Sequence, residues 1–271
     1  MWNLVIAGAL ILIVAVSMTM VGKGGGNFYV VILALSGVPM YQAAATSQFI
    51  LFTASLASMF VFHRNKAVSW PLAFIIGGST ALAALTGGFF SHLFSGFALK
   101  LIFAALLIVA GGVMLLPVAG GGKKAREKTK TFGVLTVKLD GLRVRVNLWI
   151  ALPVTLLTGF AVGMVGASGG SFLVPLMVLV CCTVPMHVAV GTASSLIAAT
   201  AFMGFLGHAA RGDFHPGIAV PLAVVTIVGG VIGGHFALKT KPKSLKRLFA
   251  YTNWLAALLM VYNALRLQDL L

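Results

Sequence analysis

The chain has 271 residues, of which 60% are hydrophobic and 8% are charged, with a mean hydropathy of +1.07 and a net charge of +15. Because soluble domains are about 25% charged, this composition excludes a soluble fold and predicts a protein embedded in a lipid bilayer. The positive charge does not indicate nucleic-acid binding, since thirteen of the nineteen Lys and Arg residues lie in residues 123 to 145 and 239 to 247, which flank apolar segments. Charge placed in this way sets membrane topology and attracts anionic lipid.

Apolar segments follow one another along the chain, five before a charged linker and five after it. Runs this apolar predict helices, because in lipid a helix satisfies its own backbone hydrogen bonds. We therefore predict an all-α integral membrane protein of about ten transmembrane segments. Residues 1 to 117 form the first repeat of five helices, residues 118 to 147 a basic cytoplasmic linker and residues 148 to 271 the second repeat. The predicted helices cover residues 3 to 21, 27 to 37, 40 to 62, 69 to 90, 98 to 117, 148 to 165, 171 to 182, 187 to 208, 217 to 238 and 247 to 265.

The two halves resemble each other in three stretches that occur in the same order, which indicates a duplicated unit. Because the unit has an odd number of segments, its second copy is predicted to lie inverted in the membrane, as in many secondary transporters. The matching stretches are VGKGGGNFYV at 21 to 30 with VGASGGSFLV at 165 to 174, VPMYQAAATS at 38 to 47 with VPMHVAVGTAS at 184 to 194, and ALKLIFA at 98 to 104 with SLKRLFA at 244 to 250.

The second segment of each half is predicted to be a short helix that follows a glycine break. Residues 27 to 37 rise only about 16 Å as a helix, against a hydrocarbon core of about 30 Å, so their full crossing is an open question. If every segment crosses, the basic loops at 63 to 68, 118 to 147 and 239 to 246 share one side. The positive-inside rule favours that arrangement, with these loops in the cytoplasm and both termini on the outer side. The protein is predicted to be integral to the cell (inner) membrane.

The linker contains the stretch TVKLDGLRVRV at 136 to 146, in which apolar and polar residues alternate around Asp140-Gly141. Alternation around an Asp-Gly pair predicts a small cytoplasmic β-hairpin with a two-residue turn. A solvated connector is a better interpretation of its basic residues than a contact with lipid headgroups or a partner.

Glycine-rich loops at residues 22 to 26 and 166 to 170 precede the two short helices. The first N–H groups of a helix have no partner within it and carry partial positive charge, so they suit an anion such as sulfite, sulfate, a sulfonate or a carboxylate. If both loops are recessed toward the midplane, the two helix starts face one central cavity. The predicted substrate-binding residues are Lys23, Gly24, Gly25, Gly26 and Asn27, with Ser168, Gly169, Gly170 and Ser171, and the polar runs Thr46, Ser47, Gln48 and Thr192, Ser194, Ser195.

Lys23 is the charged residue of the first loop, and Ala167 stands at the matching place in the second. All the acidic residues of the chain are predicted to lie in loops or the tail. Two interpretations of Lys23 remain open, namely that it points into cytoplasmic water or that the substrate is its counterion. The acidic residues are Glu127, Asp140, Asp213 and Asp269.

Two other functions compete with a transporter. An intramembrane oxidoreductase would use the histidines or the pair Cys181 and Cys182, but this pair lacks the spacing of a redox or metal motif, and we expect no metal or cofactor. An anion channel built on the same repeats is the second alternative. The histidines are His63, His92, His187, His208, His215 and His235, of which His208 and His215 alone are near each other in sequence.

The motifs GKGGGNF at 22 to 28 and GASGGSFLVP at 166 to 175, each followed by VPM and a Thr/Ser stretch, resemble those of the TauE/SafE sulfite exporter family of anion permeases. The resemblance covers nearly the whole chain. It implies an all-helical fold of two repeats and the export of sulfite or a small organosulfonate such as sulfoacetate. Members often carry GxGGGxxxxP in both halves, whereas this chain has Val31 where its second half has Pro175. Lys23 and Ser168 are further local departures at the predicted site.

The expected partners are therefore a small anionic sulfur-containing substrate and membrane lipid, without nucleic acid. A homodimer is left open.

Overall fold

The computed structural model describes residues 2–115, 134–139, 142–177, 184, 186–240 and 242–268. Within these ranges it contains ten α-helices and two β-strands. The helices are α1 (Trp2–Met20), α2 (Gly26–Leu35), α3 (Met40–Arg64), α4 (Trp70–Phe90), α5 (Gly96–Leu115), α6 (Leu148–Val165), α7 (Gly170–Pro175), α8 (Met186–Ala209), α9 (Pro216–Lys239) and α10 (Pro242–Gln268), with a 3-10 turn at Ser91–Leu93.

The outer surface of the described helices is apolar. Large hydrophobic side chains such as Phe74, Leu157 and Leu258 are exposed, as a surface in contact with lipid requires. Four described helices are long and apolar enough to cross a membrane by length and composition, namely α3, α4 with its 3-10 turn, α8 and α9, and shorter apolar helices accompany them. These features are those of an integral membrane protein.

The helices α2 and α7 are the short elements of the bundle. They contain 10 and 6 residues, which corresponds to about 15 Å and 9 Å, so neither spans a core of about 30 Å on its own. Residues 178 to 182 of the second predicted short segment, 171 to 182, lie outside the described residues. Ile6 and Leu10 of α1 line the same surface pocket as Ile32 and Leu35 of α2, so these two helices fold back on each other.

The main helix contacts are reciprocal between the two halves. The helix α3 packs on α8 and α9, whereas α8 packs on α3 and α4. In the same way, the contact of α4 with α6 corresponds to that of α9 with α1. The helix α2 packs on α3 and α10, and its counterpart α7 packs on α8 and α5. Exchanging each helix with its counterpart five places along the chain therefore leaves this set of contacts unchanged.

Two groups of residues mark the opposite ends of the bundle. At one end, which we call the histidine face, Tyr41 stacks on His92, and His92 contacts Asp213. At the other end, which we call the basic face, Phe62 and Ala67 pack with Val190 and Ala237, next to Arg64, Lys66 and Lys239. The helix α3 runs from the histidine face to the basic face, and α8 runs from the basic face back to the histidine face.

The strands β1 (Val134–Leu139) and β2 (Leu142–Asn147) pair antiparallel, with Leu139 opposite Leu142. The predicted turn residues, Asp140 and Gly141, lie outside the described residues, as do residues 116 to 133. The strand β2 leads directly into α6. The location of this pair of strands in the cytoplasm stays a prediction.

Candidate functional site

The first glycine loop lies at the centre of the bundle. It joins α1 to α2 and packs against Leu51 and Ser55 of α3 and Ile197 of α8, which all lie near the middle of their helices. The side chain of Lys23 reaches Asn253, near the middle of α10. The loop is therefore recessed from both ends of the bundle.

Glycine is required in this loop by the backbone conformation. Gly22, Gly24 and Gly25 have φ values of 78°, 67° and 95°, in the left-handed region that residues with a Cβ atom rarely adopt. A Cβ atom on Gly24 would lie 2.7 Å from Ser55 Oγ, and one on Gly25 would lie 2.6 Å from Tyr29 Oη. The glycines thus turn the chain sharply and hold the loop against two hydroxyl groups.

The two glycine loops contact each other directly. The Asn27 carboxamide joins them, because its Oδ1 accepts the Ser168 N–H at 2.9 Å and its Nδ2 donates to Ser171 Oγ at 2.6 Å. Ser168 Oγ also donates to the carbonyl of Lys23. The predicted residues of both loops are therefore at one place in the structure, packed together where an open cavity was expected.

Ser47 of α3 connects the same two loops from the side. Its Oγ lies 3.1 Å from the carbonyl oxygen of Gly26 and 3.0 Å from that of Gly166. The next residue, Gln48, donates from Nε2 to the carbonyl of Val162 at 3.1 Å, in the last turn of α6. Thr46 is buried, and its hydroxyl takes part in none of the hydrogen bonds found among the described residues. Ser47 and Gln48 are thus the residues of this polar run that hold the loops in position.

Lys23 is buried, with only 1% of its surface exposed. Its Nζ donates to Thr252 Oγ1 at 2.9 Å and to Asn253 Oδ1 at 2.7 Å. The interpretation that places this ammonium group in cytoplasmic water is therefore wrong. It is held inside the protein by two polar side chains of α10.

Several hydrogen-bond donors around the first loop are buried and have no acceptor among the described residues. They include the hydroxyls of Tyr29 and Ser55 and the Nδ2 amide of Asn253. The described hydrogen bonds also leave the backbone N–H groups of residues 24 to 27 without an acceptor. A buried donor without a partner is costly, so a cluster of them indicates a place where a ligand that accepts hydrogen bonds is stabilised.

The predicted polar residues of α8 have other partners. Thr192 Oγ1 accepts the N–H of Ser69 at 3.0 Å, and Ser194 donates to the carbonyl of its own helix at Val190. Ser195 lines a lateral cavity of about 550 Å³ with Phe52 and Phe202. The described hydrogen bonds do not bring these three residues to the loops. The residue of α8 that aligns with Ser47 is Ala193, which has no hydroxyl to bridge them.

Thr252 and Asn253 were missed by sequence reasoning. The signal lay in the third repeated stretch, because extending the match of residues 98 to 104 with 244 to 250 by a few residues sets Leu106 and Leu107 against Thr252 and Asn253. One half therefore has two polar residues where the other half has two leucines. Such a local difference in an apolar helix is a signal of a functional position.

The contact between the loops predicts that alanine destabilises the protein at Gly170 but not at the neighbouring Gly169. A Cβ atom on Gly170 would lie 2.3 Å from the carbonyl oxygen of Gly22, whereas one on Gly169 would meet nothing closer than 3.4 Å. We expect Gly170→Ala to destabilise the protein by about 1–3 kcal/mol, the usual cost of overpacking, and Gly169→Ala to have little effect. Thermal unfolding in detergent measures both, and equal unfolding temperatures for the two variants would contradict the loop contact.

Comparison with known proteins places this chain in a family. The model of the family described as sulfite exporter TauE/SafE matches residues 7–260. A probable membrane transporter protein of Xylella fastidiosa (strain 9a5c) is 30% identical over 105 residues, which cover 39% of this chain and 40% of that protein. The probable membrane transporter protein YunE of Bacillus subtilis (strain 168) is 23% identical over 260 residues, 91% of this chain and 93% of that protein.

A second strain of Xylella fastidiosa, Temecula1, has a protein of the same description that is 29% identical over 105 residues. This chain spans 40% of the length of each of the two Xylella relatives. No solved structure matches the chain. The family match includes both glycine loops and most of α10, and the chain belongs to the TauE/SafE sulfite exporter family of multi-pass membrane proteins.

Proposed function

We propose that this protein exports a small sulfur oxyanion or organosulfonate, such as sulfite or sulfoacetate, from the cytoplasm, and that the anion binds where the two glycine loops meet. The observation that carries the proposal is the cluster of buried donors without described acceptors around the first loop: the N–H groups of residues 24 to 27, two hydroxyls and the Asn253 amide. Such a cluster stabilises an anion in lipid surroundings, where water is not available to it.

The side chain of Asn253 indicates how an anion oxygen would be held. Its Oδ1 is the acceptor for Lys23 Nζ at 2.7 Å, Asn27 Nδ2 at 3.2 Å and Ser171 Oγ at 3.3 Å. A carbonyl oxygen that receives three donors occupies the position that suits a sulfonate or sulfite oxygen. We propose that this oxygen gives way to the substrate when the loops separate, so that the same three donors bind the anion.

The proposed binding residues follow from this arrangement. Lys23, Asn27 and Ser171 would bind the anion directly, together with the N–H groups that follow Lys23 and the Nδ2 amide of Asn253, which has no acceptor among the described residues. Ser47 and Ser168 would hold the backbone of the loops. The substrate-binding set is therefore Lys23, Gly24, Gly25, Gly26, Asn27, Ser47, Ser168, Gly169, Gly170 and Ser171, with Thr46, Gln48, Thr192, Ser194 and Ser195 as supporting residues of α3 and α8.

We propose an inverted-repeat architecture with ten segments, both termini outside and the basic face in the cytoplasm. The opposite directions of α3 and α8 and the reciprocal helix contacts support the inversion. The basic loops next to Arg64, the linker and Lys239 support the orientation in the inner membrane. Movement of one group of helices against the other would expose the central site to each side in turn.

The membrane potential supplies a driving force for export in this arrangement. An inside-negative potential favours the exit of an anion by about 2.3 kcal/mol per charge per 100 mV. The flux of sulfoacetate from proteoliposomes should therefore increase when the lumen is made negative. Flux that does not respond to voltage would reject export of the charged form, and flux that fails to saturate with concentration would favour an anion channel.

Substitution of Asn253 tests the site itself. We expect Asn253→Leu, which copies Leu107 of the other repeat, to reduce the affinity for sulfoacetate about tenfold, because one well-placed hydrogen-bonding group near a charge contributes about 1.5 kcal/mol. Binding of radiolabelled sulfoacetate, with sulfite, thiosulfate, taurine and carboxylates as competitors, measures the effect and the substrate class. Asn65→Leu, at an exposed asparagine of the basic face, is the matched control. Equal affinities for wild type and Asn253→Leu would remove Asn253 from the site.

A further inference from the structure

A second polar cluster lies at the histidine face, away from the glycine loops. Asp213, in the loop between α8 and α9, lies within 3.0–3.1 Å of His92 Nε2 through both carboxylate oxygens. His208, near the end of α8, approaches the same carboxylate with Nδ1 at 3.5 Å. The cluster therefore joins the turn after α4 to the end of α8 through one acidic residue, which the sequence analysis placed simply in a loop.

The hydrogen bonds of His208 determine which of its nitrogens carries a proton. Its Nε2 lies 2.9 Å from the carbonyl oxygen of Gly163, an acceptor, so Nε2 must donate. In the neutral ring Nδ1 is then an acceptor, yet it faces the carboxylate of Asp213 and the hydroxyl of Ser91, each at 3.5 Å. A proton added at Nδ1 turns this nitrogen into a donor directed at the carboxylate. The geometry is that of a site which binds a proton between His208 and Asp213.

A path from solvent to this site exists along the cluster. The side-chain exposure falls from 39% at His92 to 10% at Asp213 and to 0% at His208. His92 therefore contacts water, Asp213 is shielded and His208 is enclosed. Histidine is the side chain that proteins most often use to respond to pH near neutrality.

The groups that surround the proton site come from several helices. The turn after α4 contributes Ser91 and His92, α3 contributes the ring of Tyr41, which stacks on His92, and α6 contributes the carbonyl of Gly163. The nearby guanidinium of Arg211 donates from Nε to the carbonyl of Phe89 at 2.9 Å and lies over that ring. Asp213 is thus the acidic group of the described cluster, and His92 and His208 are the basic groups in contact with it.

The cluster is connected to the anion site through α6. Gly163 accepts from His208, and Val162 beside it accepts from Gln48. Three residues further on, the carbonyl of Gly166 accepts from Ser47, which also holds the first glycine loop. A change in how α8 and its loop hold the end of α6 therefore acts directly on the second glycine loop.

We propose that His208 and Asp213 bind a proton taken up from the histidine face and that this proton keeps the outer end of the anion pathway closed. The proton forms the missing hydrogen bond between Nδ1 and the carboxylate and ties the α8–α9 loop to α4 and α6. Release of the proton leaves the lone pair of His208 Nδ1 facing the Asp213 carboxylate. The contact of the α8–α9 loop with α4 and α6 is then weaker. This inference rests on the proposed anion transport and on the histidine face being the outer one.

The test is the pH dependence of sulfoacetate efflux from proteoliposomes at a fixed potential. In the wild type we expect efflux to rise about fivefold between pH 6 and pH 8, the effect of one hydrogen bond on an equilibrium. His208→Gln, which retains an amide donor for Gly163, and His92→Gln should each flatten this dependence. The control is His235→Gln, because His235 is exposed on α9 and bonds only its own helix at Val231 among the described residues.

The shape of the profile separates this proposal from a structural role of the histidines. A variant that is merely less well folded would lower efflux equally at every pH, whereas loss of the proton site removes the slope. The proposal is overturned if wild-type efflux does not depend on pH or if His208→Gln keeps the full slope. If the wild type transports none of the sulfur anions, the proposed function fails. The proton site is then tested by thermal unfolding at pH 6 and pH 8. The unfolding temperature should change between these pH values in the wild type and stay constant in His208→Gln.

Discussion

Replacement of Lys23 by glutamine is expected to reduce the affinity for sulfoacetate about 100-fold, because a charge-assisted hydrogen bond contributes about 1.5–3 kcal/mol and each 1.4 kcal/mol is a factor of ten. Glutamine has nearly the length of the lysine stem and can still donate to Thr252 and Asn253, the two partners of the ammonium group in α10. The substitution therefore removes mainly the positive charge. Equilibrium binding and flux at a fixed potential both measure the loss.

Lys66→Gln provides the matched control for this experiment. Lys66 is exposed in the loop after α3 and belongs to the basic face, so its loss changes the net charge of the protein without changing the central site. If Lys23→Gln binds sulfoacetate as tightly as Lys66→Gln does, the ammonium group has a structural role and the anion site must be sought elsewhere. The unfolding temperatures of both variants show whether the protein remains folded.

The helical architecture was accessible from the sequence because lipid imposes simple rules on it. Long apolar runs predict helices, and the bounds of α3, α4, α8 and α9 lie within a few residues of the predicted segments. The glycine breaks also predicted where two helices begin, since Gly25 adopts a conformation that a residue with a Cβ atom rarely takes. These features are local, and a single sequence reports them directly.

The partners of the site residues could not be predicted in the same way. Lys23 contacts Asn253 across 230 residues of sequence, and His92 contacts Asp213 across 121 residues. Neither contact has a spacing rule, because it depends on how complete helices pack. Asp213 in particular reads as an ordinary loop residue in the sequence, although the fold places it, buried, against two histidines.

The two halves of the chain resemble each other in their helix contacts and differ in side-chain chemistry. Lys23, Ser47 and Asn253 correspond to Ala167, Ala193 and Leu107 in the other half. Each of these polar residues therefore has a small or apolar counterpart in the other half. Under the proposed function, polar groups from one half only suit the binding of one anion rather than of two symmetric ones.

The substitution Asp213→Asn is expected to lower the free energy of unfolding by about 2–3 kcal/mol at neutral pH, since it removes the carboxylate charge that His92 contacts at 3.0 Å and that His208 faces at 3.5 Å. Burial alone would raise the pKa of Asp213, but the hydrogen bonds from His208 and His92 and their positive charge outweigh it and hold the pKa below its ordinary value. A carboxyl with a lowered pKa stabilises the folded state above the pKa of the unfolded chain, about 3.9 for Asp. This contribution is lost as the pH falls below about 4 and through the pKa of the folded state.

Thermal unfolding of wild type and Asp213→Asn in detergent between pH 3 and pH 7 gives the sign of this effect. The unfolding temperature of the wild type should exceed that of the variant at pH 5 to 7, and the two curves should converge in acid, where Asp213 becomes protonated and loses its advantage over the neutral amide. A difference that stays constant down to pH 3 would mean that the asparagine disturbs packing rather than charge. A difference that grows in acid would mean that the pKa of Asp213 is raised rather than lowered in the folded protein, and would contradict the stabilising contact of this carboxylate with the two histidines.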